Sequence, residues 1–378
     1  AGFDTNPYST SLENPEFGGD ITARLRPYLE VNNPGALLAF KGRASLDYGF
    51  LPGAVNPDTR AGRRVLRNAG GDLEVNRGGM FNFAVGDTVS WNSDLGVAVI
   101  GSLLNRVHNQ LRAGVGMMPG GGTLQLRLGY AFDFTKYIDI QGNQGLIADG
   151  VLDTMKHGLT LRSDYRFLPK TGVFASVGAG WQTYPFTNTQ PQAFPLTAMI
   201  GVQGNILPKL AGLASVGYSN PFVVDNTGLV TGGVIGVIGQ VEAQWAPTPQ
   251  TNLGGGFQRR FDPIALYQYV GNSRFYGRLQ QTLLGRFSFG LNAGYSILEF
   301  GDEEGGGQAL TDRQTGRLDG NLDVGVTAAY FFYDWLSLGI TNNTDYRHTN
   351  ASDVSNPAEP INLGYVRNVT LVLASIRY

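Results

Sequence analysis

Charged side chains on the polar positions of alternating segments are the residues that could do chemistry in this chain of 378 residues. Guanidinium groups with carboxylates between them can hydrogen-bond the hydroxyl and carboxylate groups of a sugar polymer without strongly selecting one sign of charge. A network of ion pairs that braces a wall is the alternative for each residue. We predict that the following residues line a water-filled path: Arg24, Arg26, Lys41, Arg43, Asp47, Arg127, Asp133, Arg162, Asp164, Arg166, Glu242, Arg274, Arg278, Arg317, Asp319, Asp323, Asp345 and Arg347.

Catalytic and cofactor sites are not predicted. His108, His157 and His348 lie on three segments far apart in sequence, and no nucleophile, base and supporting group come together around them. The absence of cysteine removes thiolate nucleophiles and zinc–thiolate sites. The glycine runs at 120–122, 254–256 and 305–307 lack the lysine and serine of a phosphate loop, and the acidic stretch at 302–304 is interpreted as a solvated loop rather than a cation site. We therefore expect no enzyme, no cofactor and no metal.

Composition excludes several classes of protein. The 28 Lys and Arg residues nearly balance the 30 Asp and Glu residues, which favours neither nucleic-acid binding nor a polybasic membrane surface. No segment approaches the ~18 consecutive apolar residues of a membrane-spanning helix. The sequence begins at Ala1 without a methionine, so we expect that a signal peptide has been removed.

Strict alternation identifies the elements that would position these charges. In "TLQLRLGYAFDFTKY", Leu124, Leu126 and Leu128 share a parity with aromatic residues, while Arg127 and Asp133 occupy the other parity. A strand separates the two sets because successive side chains point to opposite faces. The same pattern recurs in "ITARLRPYLEV", "LTLRSDYRF" and "RLDGNLDVGVTAAYF". One face of each strand is apolar and the other is hydrated.

Connections between these strands alternate in length. Short turns are predicted at 33–35, 77–79, 119–122, 169–172, 207–210, 247–250, 284–286 and 333–335, with longer polar connections between them. Short periplasmic turns and longer extracellular loops are typical of an antiparallel up-and-down β-barrel in a bacterial outer membrane. We predict one transmembrane barrel domain over residues 1–378 with about 18 strands, a short first strand near 2–10 and a closing strand near 362–378. A soluble sandwich also alternates, but strands of this length favour the membrane.

Aromatic residues near strand ends suit girdles at the two lipid–water interfaces. We assign to these girdles Trp91, Tyr137, Trp181, Tyr184, Trp245 and Trp335. The terminal Tyr378 resembles the C-terminal signal by which outer-membrane barrels are assembled. Asp87 and Arg259 fall on the apolar parity, which a bulge or a position outside the hydrocarbon would explain, and Pro27 within a strand predicts a bulge.

The opening "FDTNPYSTSLENPEFGGDITARLRPYLEV" carries Asp4 and Asn6, then Asp20, then a strand with Leu25, Pro27 and Leu29. This stretch resembles the start of the putative β-barrel porin 2 family of bacterial outer-membrane proteins. The resemblance implies a role in exopolysaccharide and capsule export together with periplasmic export and co-polymerase proteins.

We therefore expect an outer-membrane conduit that carries a secreted polysaccharide, with membrane lipids, polysaccharide and periplasmic export proteins as partners and no nucleic acid. A diffusion porin for small hydrophilic solutes is the alternative, which a constricting loop within 52–67 or 140–153 would favour. A barrel enzyme would be favoured by a paired His and Ser on the wall. A structural surface protein would be favoured by a filled lumen.

Overall fold

The architecture is known from a computed structural model. It describes residues 2–4, 20–50, 63–95, 103–138, 150, 152–187, 191–224, 230–232, 236–264, 267–301, 317–350, 352–353, 361–362 and 364–376. Within these ranges no helix is long and apolar enough to cross a membrane, and the helical element is a single 3-10 turn, Pro119–Gly122.

Long antiparallel strands make up almost all of the described chain, as the period-two alternation predicts. With the two segments of β2 counted as one strand, the strands of the wall are β1 Gly2–Asp4, β2 Asp20–Leu25 and Tyr28–Pro34, β3 Leu38–Phe50, β4 Arg63–Val75, β5 Phe81–Leu95, β6 Leu103–Met117, β7 Leu124–Ile138, β8 Thr154–Leu168, β9 Thr171–Thr183, β10 Leu196–Leu207, β11 Leu210–Asn220, β12 Gly236–Thr248, β13 Thr251–Ile264, β14 Tyr267–Leu283, β15 Phe287–Phe300, β16 Leu318–Tyr333, β17 Leu336–Thr349 and β18 Tyr365–Ile376.

The strands pair in sequence order and the sheet returns to its start. Each strand is antiparallel to the next, and β1 pairs with β2 on one side and with β18 on the other. The prediction of an all-β, up-and-down sheet of about 18 strands is confirmed. A closed ring leaves no unpaired strand edge, which is what a sheet surrounded by lipid requires.

The connections alternate as predicted. All eight predicted short turns join an even-numbered strand to the following odd-numbered strand, for example residues 169–170 between β8 and β9. The connections at the opposite end are longer, except that β13 and β14 form a tight hairpin in which Ile264 pairs with Tyr267. Short strands of two or three residues continue the wall beyond β9 and β11, namely Gln192–Ala193, Val223–Val224 and Val230–Gly232.

Pro27 does not introduce a bulge, so that prediction is wrong. Leu25 pairs with Tyr48 and Tyr28 pairs with Ser45, which leaves the register between β2 and β3 unchanged across the proline. The missing N–H of Pro27 interrupts the ladder without shifting it. The carbonyl of Pro27 still accepts a hydrogen bond from the Leu46 N–H at 3.1 Å.

The apolar parity forms the exposed outer surface of the wall. Ile200, Val216 and Val237 are more than half exposed although they lie within strands. An apolar band of this kind, not packed against other parts of the protein, is typical of a surface that contacts lipid. Lipid, and not other protein side chains, then removes these apolar side chains from water.

Two charged residues on the apolar parity have partners there instead of bulges. The register of β5 with both neighbours is constant through Asp87, which accepts a hydrogen bond from Asn109 at 2.8 Å. Arg259 on β13 donates two hydrogen bonds to Glu299 on β15, at 2.7 and 3.2 Å, and one to the Ser273 hydroxyl. Asp87 and Arg259 are thus each hydrogen-bonded by a neighbouring strand, which lowers the cost of leaving water.

The Arg259–Glu299 pair leads to a double-mutant prediction. We expect Arg259→Leu or Glu299→Leu alone to destabilise the barrel because the remaining charge loses its partner, and the double variant to recover about 1–2 kcal/mol of that loss. Urea unfolding of the four proteins in lipid vesicles measures the coupling. Strictly additive effects would contradict the prediction.

Candidate functional site

The polar parity faces the interior of the ring. Lys156 on β8 lines the same cavity as Arg260 on β13, Asn321 on β16 and Arg347 on β17, although β8 is separated from β13 by four strands of the wall. Side chains from such distant parts of a closed sheet meet only across its interior. The cavity has a volume of about 620 Å³, within the range of small-molecule sites.

Paired charges line this cavity. Arg260 lies 3.1 Å from Asp262, and Arg274 on β14 lies 2.8 Å from Asp323 on β16. Arg274 also donates to the Ser296 hydroxyl of the intervening strand at 3.2 Å. These pairs hold each guanidinium in place while leaving the surface nearly neutral.

A buried cluster closes the long-loop end of the same wall. Asp319 has no exposed surface and accepts hydrogen bonds from Arg317 at 3.0 Å, Arg347 at 2.8 Å and the Thr349 hydroxyl. The Arg317 guanidinium also lies 4.4 Å from the centre of the Phe300 ring. Two cations therefore share one carboxylate away from water, so this cluster serves to join β15, β16 and β17.

A second polar cluster surrounds Glu242 of β12, nearer to the short-turn end of the wall than the Asp319 cluster. Its carboxylate accepts hydrogen bonds from Gln244 at 2.7 Å and from the Tyr276 hydroxyl at 3.0 Å, and Arg278 lies 3.8 Å away. Tyr276 and Arg278 come from β14, two strands away. The cluster offers amide, hydroxyl and guanidinium groups to the lumen, all of which hydrogen-bond sugar hydroxyls well.

Lumen-facing glycines allow these side chains to lie flat against the wall. A Cβ at Gly254 would lie 2.7 Å from Arg278 Nε, a Cβ at Gly256 would lie 2.8 Å from the Tyr276 hydroxyl, and a Cβ at Gly294 would collide with the Arg274 guanidinium. Because glycine has no side chain, it leaves room for arginine and tyrosine side chains that would otherwise project into the lumen. The sequence signal for this role is the placement of Gly254, Gly256 and Gly294 on the polar parity.

The three histidines remain apart. His108 is on the lumen parity, with Nδ1 2.9 Å from the Thr135 hydroxyl and Nε2 3.6 Å from Asp133. Ser90 pairs with His108 in the register, but both ring nitrogens of His108 face these other groups. His157 lies on the lipid parity, between the Tyr130 hydroxyl at 2.8 Å and the Trp181 ring. In this geometry His108 and His157 each hydrogen-bond a residue of β7, namely Thr135 and Tyr130.

The register places the other predicted lumen residues on the interior parity. Arg26 pairs with Asp47 at 2.6 Å, Lys41 with Glu30 at 3.1 Å, and Arg162 with Asp164 at 2.8 Å. Arg24 lies in β2, with its side chain outside the described residues. The interior parity also holds Arg43, Arg127, Arg166 and Asp345. Whether any of them contacts a substrate remains a prediction.

The girdle residues divide into two groups. Trp91, Trp181 and Trp245 are exposed on the lipid parity, and Trp335 lies in a short turn stacked on Tyr333 at 5.5 Å. The assignment is wrong for two tyrosines. Tyr137 shares the parity of Asp133 and pairs with Arg106, and Tyr184 is buried, where its hydroxyl accepts a hydrogen bond from Gln182 at 2.7 Å.

Burial raises the pKa of the Tyr184 hydroxyl, since the charged form loses its hydration. Tyr378 lies outside the described residues, so its part in assembly stays a prediction.

Comparison with solved structures supports the fold. Two structures of the FrpB iron transporter from Neisseria meningitidis, both of the F5-1 variant and one the apoprotein form, align with TM-scores of 0.53 and 0.52 at 10% identity. Each alignment covers 94% of this chain and 61% or 63% of the transporter, so the chain spans less than two thirds of their length. At this identity the likeness is one of fold alone.

Sequence comparison identifies the family. No curated protein matches the chain in sequence. The sequence model of one family matches residues 1–367, nearly the whole chain, and it describes a β-barrel porin. Together with the ring of strands and the polar interior, this match shows that the chain belongs to the putative beta-barrel porin 2 family.

Proposed function

We propose that this protein is an outer-membrane conduit that exports a secreted polysaccharide through its hydrated, charge-balanced lumen. The observation that carries the proposal is the lumen of β12–β16, where charges are paired and the Arg274, Tyr276 and Arg278 side chains lie over glycines. Such a wall offers many hydrogen-bonding groups and few strong attractive charges. A hydrated polymer can exchange contacts along it without being trapped at one point.

The proposed direction of export follows from the connections. The eight short turns would face the periplasm and the longer connections the outside, as in other outer-membrane barrels. Energy and delivery of the chain would come from periplasmic export and co-polymerase proteins, in line with the family resemblance. Catalysis forms no part of this proposal.

A diffusion porin for small hydrophilic solutes is the second candidate. The cavity shared by Lys156 and β13–β18 favours it, because opposite parts of the wall approach each other there and the lumen narrows. A constricting loop was expected within 52–67 or 140–153. Residues 63–67 belong to β4, and residues 52–62, 140–149 and 151 lie outside the described residues. The two candidates differ in the size of what passes.

We expect that cells without this chain keep their polysaccharide in the periplasm and lose it from the surface, while uptake of small sugars is unchanged. Fractionation of the polymer and uptake of labelled sugars, recorded in parallel, measure both. A strain complemented with Arg286→Gln, a change in a short turn, is the matched control and should export normally. Persistent surface polymer with slower sugar uptake would overturn export and establish the porin.

A further inference from the structure

The charge of the lumen wall is not uniform around the ring. On β6, β7 and β8 the interior parity carries two carboxylates, Asp133 and Asp164. The same parity of these strands carries six cationic side chains, which are Arg106, Arg112, Arg127, Lys156, Arg162 and Arg166. We call this surface the basic face. It contrasts with β13–β17, where Arg260, Arg274 and Arg347 each contact a carboxylate.

Two arginines of the basic face are held by amides instead of carboxylates. Arg112 donates to the side-chain oxygen of Gln110, and Arg127 donates to that of Gln125 at 2.8 Å. Among the described residues, neither guanidinium forms an ion pair. An amide oxygen orients a guanidinium but does not cancel its charge. Both side chains are exposed to the lumen, so their charge is available to a ligand.

The stability of the wall does not account for this arrangement. Arg127 and Arg162 are direct cross-strand partners, and like charges in that position are destabilising. Asp164 neutralises Arg162 through hydrogen bonds at 2.8 and 3.0 Å, which leaves the charge of Arg127 unmet. A wall under selection for strength alone would pair these charges.

The backbone beside these arginines is open. Gly114 and Gly129 are cross-strand partners between the rows of Arg112 and Arg127. A Cβ at either glycine would meet only a backbone oxygen, at 3.6 Å or 3.9 Å, and no side chain covers them. By contrast, Gly254 and Gly256 of β13 and Gly294 of β15 are covered by arginines and a tyrosine. The charged groups of the basic face therefore border a recess that a ligand can enter.

We infer that the basic face, through Arg112 and Arg127, binds the carboxylates of an acidic sugar polymer. This inference rests on the proposed function and names its substrate class as uronate-containing polysaccharide. A guanidinium matches a carboxylate with two parallel hydrogen bonds, and each such contact replaces the weaker hydrogen bond to glutamine. Salt weakens the contact because the lumen is hydrated.

The test uses the purified full chain in planar lipid bilayers. Oligogalacturonates and maltooligosaccharides of equal length are added separately, and block of the ionic current is recorded. We expect block by the acidic series alone, weaker at 1 M salt than at 0.1 M, and at least about tenfold weaker in Arg112→Gln/Arg127→Gln. The Arg112→Lys/Arg127→Lys variant should retain part of the block, and Arg286→Gln should retain all of it.

Heat-dependent mobility on gels checks that each variant is folded. A second variant, Gly129→Val, fills the recess without removing charge and should also weaken the acidic block. Equal block by the two sugar series, or full acidic block in Arg112→Gln/Arg127→Gln, would overturn the inference. Loss of surface polymer in deletion cells without acidic selectivity in bilayers means that the inference alone fails. Persistent surface polymer in those cells means that the export function fails.

Discussion

Asp319→Ala is expected to lower the free energy of unfolding by about 3–5 kcal/mol. The carboxylate is fully buried and is the shared partner of Arg317 and Arg347, which are themselves almost inaccessible. Its removal leaves two guanidinium groups close together without the anion that they share. Because the cluster joins neighbouring strands at one end of the barrel, we expect unfolding to begin at that end.

Urea unfolding in lipid vesicles, followed by tryptophan fluorescence, measures this change. The matched control is Glu30→Gln, which breaks an exposed lumen pair with Lys41 and should cost no more than about 1 kcal/mol. Equal losses in the two variants would show that burial at Asp319 contributes nothing. Asp319→Asn keeps the shape of the side chain and should be nearly as damaging as alanine, since the charge is what the arginines share.

The double variant Gly254→Val/Gly294→Val is expected to fold but to have a severalfold lower conductance, because its lumen is narrower. A Cβ at Gly254 lies 2.7 Å from Arg278 Nε, and a Cβ at Gly294 lies 2.7 Å from Asp323 and collides with Arg274. The ends of these arginines are flexible, so they move off the wall and project inward. Valine suits a strand, and neither glycine has a positive φ that a side chain would oppose.

Single-channel recording measures the conductance, and polymer fractionation measures export in cells. Gly158→Ala is the control, because this lumen-facing glycine has a backbone oxygen at 4.0 Å as its nearest contact. It should conduct and export normally. Unchanged conductance in Gly254→Val/Gly294→Val would show that the flat arrangement of the arginines does not keep the passage open.

Much of the fold was predictable because its signals are local. The alternation from Leu124 to Phe134 identified a strand and its two faces, and the short turns between strands predicted the order of pairing. Parity also placed Arg162, Asp164, Arg274 and Asp323 on one side of the sheet. Tyr137 has the same parity as Asp133, so the alternation contradicts a girdle position that its proximity to a loop favours.

For residues that depart from the alternating pattern, the structural effect depended on partners in other strands, which the local sequence does not identify. Pro27 kept the register because β2 pairs with β3 on both sides of it. Arg259 found its carboxylate on β15, 40 residues away in the chain. In both cases, pairing with another strand determined the outcome.

By itself, the sequence determined the strands, their faces, their order and the polar character of the interior, since each follows from a period of two residues and the chemistry of turns. Tertiary structure alone decided which charges meet: Arg274 with Asp323, Arg317 and Arg347 with Asp319, and Arg112 and Arg127 with glutamines. The physical reason is that an ion pair requires atoms within a few ångströms. The register and curvature of the closed sheet set that distance, and both depend on several strands together and not on the sequence of one strand.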